Sequence, residues 1–205
     1  MTVDPTAGPE PVAPPPADDG VPAREATAVE HVTENVTLDA LPGHDLDQHE
    51  LRRLVAAVAR RPELWQRHVA FSDDERHYVS LHRDAHVDLW VLCWTPLNDT
   101  GWHDHDISSG AVAVVRGTLV EHNLAVGKPS VATAVDAGKV FGFGPEHIHR
   151  LTGKEPGSVS IHAYSPPLWR MGQYAVTGNG VLKRVSLSYA DELRPLDDAE
   201  ASAAG

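Results

Sequence analysis

The sequence predicts an all-β domain, built as an antiparallel sandwich or barrel, with short helices on its N-terminal side. From residue 78 onwards, short β-prone runs are separated by glycines, and no helical periodicity lies between them. Closely spaced strands joined by glycine turns are typical of all-β sandwiches and barrels. The β-prone runs are Tyr78–Leu81, Val87–Thr95, Ala111–Val115, Thr118–Leu124, Ser130–Val135, Val140–Phe143, Val159–Tyr164 and Val181–Ser188.

Two short helices are predicted before these strands. Asp47 and Glu50 have the spacing of a capping box, and apolar residues then recur at i, i+3, i+4 and i+7 from Leu51. This pattern predicts an amphipathic helix of about 12 residues. Pro62 suits the first turn of a second short helix around Glu63–His68.

Composition divides the chain into three parts, which we predict to be 1–40, 41–189 and 190–205. The first part is acidic and rich in Pro and Ala, so it has little to bury and is expected to be disordered. The last part is a short acidic tail. The net charge of −12 resides in the ends, because residues 51–189 are nearly neutral. Acidic ends repel a phosphate backbone, so we expect no nucleic acid partner.

The single cysteine and the hydropathy pattern exclude further classes of protein. Cys93 alone allows neither a disulfide framework nor a thiolate zinc cluster within one chain. No secretory leader is evident at the N-terminus, and no apolar run approaches the roughly 20 residues that cross a bilayer. We therefore expect a soluble cytoplasmic protein without a membrane partner, either a monomer or a small homo-oligomer.

A His-x-His pair, His103 and His105, is the first candidate for chemistry. In an extended segment both side chains leave the same face, about 6–7 Å apart along the chain. Two imidazoles in this arrangement can converge on one metal ion, and a third from a neighbouring strand would complete the set. His147 and His149 are the candidates for that third ligand. Imidazole suits Fe, Zn, Cu and Ni, so the ligand type leaves the metal open.

The glycines around these histidines resemble the two cupin motifs in their order. Gly117 follows the His-x-His pair at a turn, and Gly138 precedes His149. Five residues after His105, where the cupin motif usually has a glutamate ligand, this chain has Gly110. The resemblance implies a double-stranded β-helix, or jelly-roll barrel, with a site of three histidines and no carboxylate ligand.

A second segment makes the resemblance specific. Residues 160–168 read SIHAYSPPL, which resembles the S-x-H-x-Y-S-P-P segment of the cysteine dioxygenase family of thiol dioxygenases. The nine-residue spacing from Trp94 to His103 is also similar, and the resemblance runs over residues 78–170. The family's ligand histidine is commonly followed by a basic residue, as His149 is by Arg150, and this favours His149 over His147.

Membership of this family would imply an iron enzyme. The implied Fe(II) ligands are His103, His105 and His149, and the implied hydrogen-bonded relay is Ser160, His162 and Tyr164, whose tyrosine points at the iron. The implied reaction takes a small thiol and O2 and gives the corresponding sulfinic acid.

The substrate stays open, because the chain departs from the family pattern. Animal members have a cysteine at the position of Gly110 that cross-links to the tyrosine, and here no such link to Tyr164 can form. The family's carboxylate-binding arginine is missing from its expected place, which Tyr78 occupies. The substrate-binding candidates are Tyr78, Arg76, Arg83 and Trp102. Cysteine is the default substrate, and 3-mercaptopropionate, cysteamine-like thiols and ergothioneine are alternatives.

Two alternatives belong to other functional classes. The first is a non-catalytic cupin that binds a metal or a small ligand, although metal binding alone would not require Ser160, His162 and Tyr164 together. The second is a different cupin enzyme, such as an isomerase that uses Zn or Mn. Those enzymes usually keep the carboxylate ligand that Gly110 replaces in this chain.

Overall fold

The structure, a computed structural model, describes most of the predicted domain. The described residues are 41–124, 128–176 and 182–188, together with Thr27–Ala28 and Leu38. Among them, no helix has both the length and the apolar character needed to cross a membrane.

Both predicted helices are confirmed. Helix α1 (Gln48–Ala59) begins after Asp47, whose side chain accepts from the Glu50 backbone while the Glu50 side chain accepts from the Asp47 backbone. This capping box satisfies two N–H groups that an α-helix otherwise leaves without a partner. Helix α2 (Pro62–Trp65) has its proline in the first turn and continues into a 3-10 turn at Gln66–His68.

Twelve strands make up the rest of the described fold. They are β1 (Thr27–Ala28), β2 (Tyr78–Arg83), β3 (Asp88–Trp94), β4 (Trp102–Asp104), β5 (Ser109–Arg116), β6 (Thr118–Asn123), β7 (Val131–Asp136), β8 (Lys139–Phe143), β9 (His149–Gly153), β10 (Ser158–Ser165), β11 (Arg170–Val176) and β12 (Leu182–Ser188).

The strands form two six-stranded antiparallel sheets. The first sheet has the order β1-β8-β5-β10-β3-β2, and the second has the order β12-β11-β4-β9-β6-β7. From β4 to β11 the chain alternates between the sheets, apart from the β6–β7 hairpin. This is the double-stranded β-helix of the cupin fold, so the predicted fold class is confirmed.

The core has two layers, one on each side of the first sheet. Helix α1 packs on the outer face, where Leu51 and Val55 meet Ile161 of β10. The interior between the sheets holds a second cluster that includes Trp94 and Tyr164. Since successive side chains of a strand point to opposite faces, Ile161 faces the helix while its neighbours face the barrel interior. The packing of α1 therefore fixes which side chains of β10 enter the interior.

Gly117 makes the tight turn between β5 and β6 possible. Its φ of +71° lies in the left-handed region, and an added Cβ would run into the side chain of Ser158. A residue without a side chain is required for both reasons.

The sequence prediction includes no strand at β11 (Arg170–Val176), and this omission was wrong. The segment has few β-branched residues, and Gly172 lies inside it. In the structure that glycine accommodates a neighbouring ion pair, because a Cβ there would overlap Arg184 of β12 and Asp104 of β4. A glycine that weakens the strand signal in sequence is thus the residue that allows the sheet to form.

The predicted domain boundaries stay a prediction. The tail 190–205 and most of the segment 1–40 lie outside the described residues. Within that segment, Thr27–Ala28 pairs with β8 at the edge of the first sheet, and Leu38 packs against the cluster under α1.

Candidate metal centre

Strand pairing brings three histidines together in the barrel interior. His103 on β4 lies directly opposite His149 on β9 in the antiparallel register. His105 follows β4 and shares a face with His103 by the alternation of an extended chain. The ring centroids are 4.9 Å apart for His103 and His105, 4.7 Å for His103 and His149, and 5.1 Å for His105 and His149. Their nearest ring nitrogens all lie within 4.8 Å of one another.

The three rings meet the chemical requirements of a metal site. All are buried, and burial, followed by the charges of neighbouring histidines, holds the pKa values of His103 and His105 well below the usual range. His103 and His105 are therefore neutral at pH 7, and a neutral imidazole offers a lone pair to a metal. Neither ring nitrogen of His105 has a hydrogen-bond partner among the described residues. Because such buried polar groups are costly, a metal ion is the partner that this site fits.

Backbone and carboxylate groups behind the rings orient the ligand nitrogens. The Nδ1 of His103 lies 3.1 Å from the Gly101 carbonyl oxygen, which leaves Nε2 as the nitrogen that can bind a metal. The Nδ1 of His149 donates to Oε1 of Glu121 at 3.0 Å. Contacts of this kind fix the tautomer and ring orientation of metal-binding histidines.

Glu121 is a functional candidate that sequence reasoning missed. It lies on β6, diagonal to His149 in the sheet, and is 4% exposed. Burial alone would raise the pKa of its carboxyl, but hydrogen bonds from His147 and His149 outweigh burial and lower the pKa to about 2. The charged carboxylate is therefore kept inside the protein by two imidazole donors.

The two candidates for the third ligand differ in burial and in their contacts. His149 is fully buried beside His103, whereas the side chain of His147 is 20% exposed and donates its Nε2 hydrogen bond to Glu121 at 3.2 Å. Glu121, His147 and His149 also lie close enough to form a second group of potential metal donors. His149 belongs to both groups, while His147 belongs only to the second, in which its ring also lies 5.0 Å from that of His149.

An ion pair joins the two segments that carry the ligands. Arg150, directly after His149, donates from Nε to both carboxylate oxygens of Asp99, at 2.9 and 3.0 Å, and also from Nη2. Asp99 in turn accepts from the backbone N–H of Gly101 at 2.8 Å. The basic residue after the ligand thus anchors β9 to the chain that leads into β4.

Ser160, His162 and Tyr164 of β10 form the chain of contacts that we name the Ser-His-Tyr relay. Ser160 Oγ lies 2.8 Å from His162 Nε2, and His162 Nδ1 lies 3.2 Å from the Tyr164 hydroxyl. All three are at most 8% exposed. The Tyr164 ring stacks on His105 with centroids 5.3 Å apart, so the relay ends beside the three histidines. Burial raises the pKa of Tyr164, which keeps its proton.

Phe143 packs against both the candidate ligands and the end of the relay, with its ring centroid 6.4 Å from that of Tyr164. Its ring stacks on His105 at 4.5 Å and also meets His149 at 4.7 Å. Phe143 pairs with Gly110 in the register of β8 and β5, and a Cβ at Gly110 would overlap the phenylalanine ring. The same Cβ would lie 3.1 Å from Cδ1 of Tyr164. The missing side chain at position 110 therefore leaves space for the Phe143 ring.

The four predicted substrate-binding residues lie in different surroundings. Arg76 is 6% exposed, with its guanidinium carbon 5.0 Å from the centre of the Trp94 ring. Its charge is one of the influences that lower the pKa values of His103 and His162, after burial as the largest cause. Arg76 is thus the candidate whose positive charge acts on a candidate metal ligand and on the relay.

The other three candidates lie elsewhere. Tyr78 is 37% exposed and packs against Trp90. Arg83 donates to the buried Asp88 at 2.6 Å and its guanidinium lies over Trp169. Trp102 precedes His103 on β4, so its side chain leaves the opposite face of that strand.

The fold and the site together define a cupin with a candidate metal centre of three histidines. The chain belongs to the cysteine dioxygenase type I family, whose sequence model matches residues 21–176.

Three solved structures that are similar to this one have TM-scores between 0.42 and 0.44. An uncharacterized conserved protein with this domain from Klebsiella pneumoniae subsp. pneumoniae MGH 78578 is 16% identical, over 58% of this chain and 92% of that one, with a TM-score of 0.44. KdgF from Halomonas sp. is 15% identical, over 50% and 92% of the two chains, with a TM-score of 0.43. An rmlc-like cupin protein from Desulfovibrio desulfuricans subsp. is 15% identical, over 48% and 90%, with a TM-score of 0.42.

Proposed function

We propose that the protein is an Fe(II)-dependent thiol dioxygenase that converts a small carboxylate-bearing thiol and O2 into the corresponding sulfinate. The observation that carries the proposal is the contact between the Ser-His-Tyr relay and a candidate metal ligand. Metal binding alone would not require this contact. The Ser-His-Tyr relay ends at a tyrosine that stacks on His105, one of the three candidate ligands. Both atoms of O2 end on sulfur, so the thiolate R–S⁻ becomes R–SO2⁻ and no further reductant is required.

The metal ligands in this proposal are His103, His105 and His149. Iron at these three rings would supply the deprotonation of a coordinating thiol and the activation of O2. Glu121 would hold His149 with Nε2 facing the ion, and the Gly101 carbonyl would do the same for His103.

Tyr164 is the group that we expect to touch the reacting atoms. Its hydroxyl is held by His162 and keeps its proton because burial raises its pKa. In this position the hydroxyl can donate a hydrogen bond to the substrate and fix its orientation. Hydrogen bonds to charged groups contribute about 1.5–3 kcal/mol, which corresponds to roughly 10- to 100-fold in rate.

Arg76 is the group that we expect to bind the substrate's carboxylate. It is buried, and its positive charge acts on a ligand and on the relay. A guanidinium matches a carboxylate with two parallel hydrogen bonds. This favours cysteine and 3-mercaptopropionate over cysteamine, which has no carboxylate.

The test is O2 consumption by the Fe(II)-loaded protein with cysteine, 3-mercaptopropionate, cysteamine and ergothioneine, with sulfinate identified by mass spectrometry. We expect turnover of a carboxylate-bearing thiol and a loss of about 10- to 100-fold in Tyr164→Phe. Arg76→Gln should raise KM for that thiol, while the control Arg83→Gln should leave KM unchanged. Tightly bound iron without thiol-dependent O2 uptake would instead indicate a non-catalytic cupin. A cytoplasmic location stays a prediction.

A further inference from the structure

A tryptophan outside the Ser-His-Tyr relay donates into it. Trp94, the last residue of β3, is fully buried in the barrel interior. Its indole Nε1 donates a hydrogen bond to Ser160 Oγ at 2.8 Å. The same indole stacks on the His162 ring, with centroids 6.2 Å apart and an angle of 27° between the planes.

The hydrogen bond from Trp94 determines the direction in which the Ser160 hydroxyl donates its own proton. An indole N–H only donates, so Ser160 Oγ must be the acceptor in its contact with Trp94. The other contact of Ser160 Oγ among the described residues is His162 Nε2 at 2.8 Å. A hydroxyl has a single proton, and the buried Ser160 side chain therefore directs that proton to His162 Nε2.

The direction of the Ser160 hydroxyl in turn determines the tautomer of His162. Burial, followed by the charge of Arg76, lowers the pKa of His162 to about 3, so the ring is neutral at pH 7. A neutral imidazole that accepts at Nε2 carries its proton on Nδ1. Nδ1 then donates to the oxygen of Tyr164 at 3.2 Å, and the phenolic proton stays available to the site.

We infer that Trp94 is a positioning residue that sets the direction of the Ser-His-Tyr relay, so that Tyr164 presents a hydrogen-bond donor to the metal site. The inference extends the proposed function, on which its consequence for the substrate rests. In the reverse direction Tyr164 would donate to His162 Nδ1 and offer only lone pairs to the site. A thiolate and an oxygen molecule are both acceptors, so the direction decides whether the tyrosine can bind them.

The test is the tautomer of His162 in the ¹⁵N-labelled full-length chain without added metal, measured by long-range ¹H–¹⁵N NMR correlation. The resonances of His162 are those that disappear in His162→Gln. The wild type should have a protonated Nδ1 and an unprotonated Nε2. In Trp94→Phe the aromatic ring remains but the donor is lost, and a population with protonated Nε2 should appear. In Ser160→Ala the donor to Nε2 is lost, and a population with protonated Nε2 should appear as well.

The matched control is Trp90→Phe. Trp90 lies on the same face of β3, and its indole nitrogen makes no hydrogen bond with the described relay residues. This variant should keep the wild-type tautomer. A wild-type His162 protonated on Nε2 would overturn the inference, and this result needs no variant to fold. A Trp94→Phe protein that keeps only the Nδ1-protonated form would overturn it as well. Because neither iron nor thiol is present, the result is independent of dioxygenase activity.

Discussion

His149 and Glu121 form a buried hydrogen bond of 3.0 Å between Nδ1 and Oε1, which leaves Nε2 of His149 as the nitrogen that can bind a metal. A carboxylate in this position raises the basicity of the imidazole, so that it binds a metal more strongly, and it fixes the orientation of the ring. We expect Glu121→Gln to weaken iron binding by about 10- to 100-fold, a usual effect of such changes. Competition with a chelator measures the affinity.

The control for this variant is Glu146→Gln, which changes an exposed carboxylate close to His147 in the chain. It should bind iron as the wild type does. Equal affinity in Glu121→Gln and the wild type would show that the carboxylate does not support the metal site.

The Asp99–Arg150 pair should stabilise both the fold and the site. Asp99→Asn removes the charge that Arg150 contacts with two nitrogens. Since the pair is only partly buried, we expect the free energy of unfolding to fall by about 1 kcal/mol. Iron affinity should fall as well, because the pair joins the segments that carry His103 and His149. Chemical denaturation and iron titration measure the two effects, and the exposed Asp74→Asn serves as the control. An unchanged iron affinity would mean that the strands hold the ligands without this pair.

Gly110→Ala should destabilise the barrel interior. The added methyl group would overlap the Phe143 ring, which packs against His105. Overpacking of this kind costs about 1–3 kcal/mol. Gly43→Ala is the matched control, since nothing lies within 4 Å of its added Cβ. Thermal unfolding of both variants measures the difference, and equal stabilities would contradict the packing described for Phe143.

His162 should make the metal-free protein less stable in acid. Its folded pKa is about 3, below the value of about 6.5 in an unfolded chain. Between these values the unfolded state binds the proton and the folded state does not, so stability falls as the pH drops from about 6.5 towards 3. Denaturant unfolding from pH 7 to pH 4 should show a steeper loss in the wild type than in His162→Gln. Parallel curves would indicate that His162 is protonated in the folded protein.

Local patterns in the sequence predicted much of this protein. The helix after Asp47 follows from its capping box, and alternation along β10 places Ser160, His162 and Tyr164 on one face. Such patterns depend only on neighbours in the chain. The order of short strands and glycine turns predicted an all-β sandwich or barrel, and the resemblance to the cupin motifs implied the double-stranded β-helix.

Contacts between strands that are distant in the sequence could not be predicted from such local patterns. Glu121 reaches His149 because β6 pairs with β9, and Trp94 reaches Ser160 because β3 pairs with β10. The register of these pairs depends on the whole barrel. Arg76 stood among four substrate-binding candidates, and only its burial and its position over Trp94 distinguish it from the others.

We propose that one iron is held by His103, His105 and His149. This set of ligands is tested by the iron content per chain of four single alanine variants, measured by elemental mass spectrometry after reconstitution and desalting. We expect about one iron per chain in the wild type and in His147→Ala, and almost none when any of the three ligands is replaced. Retention of iron in His149→Ala together with its loss in His147→Ala would show that His147, and not His149, is the third ligand.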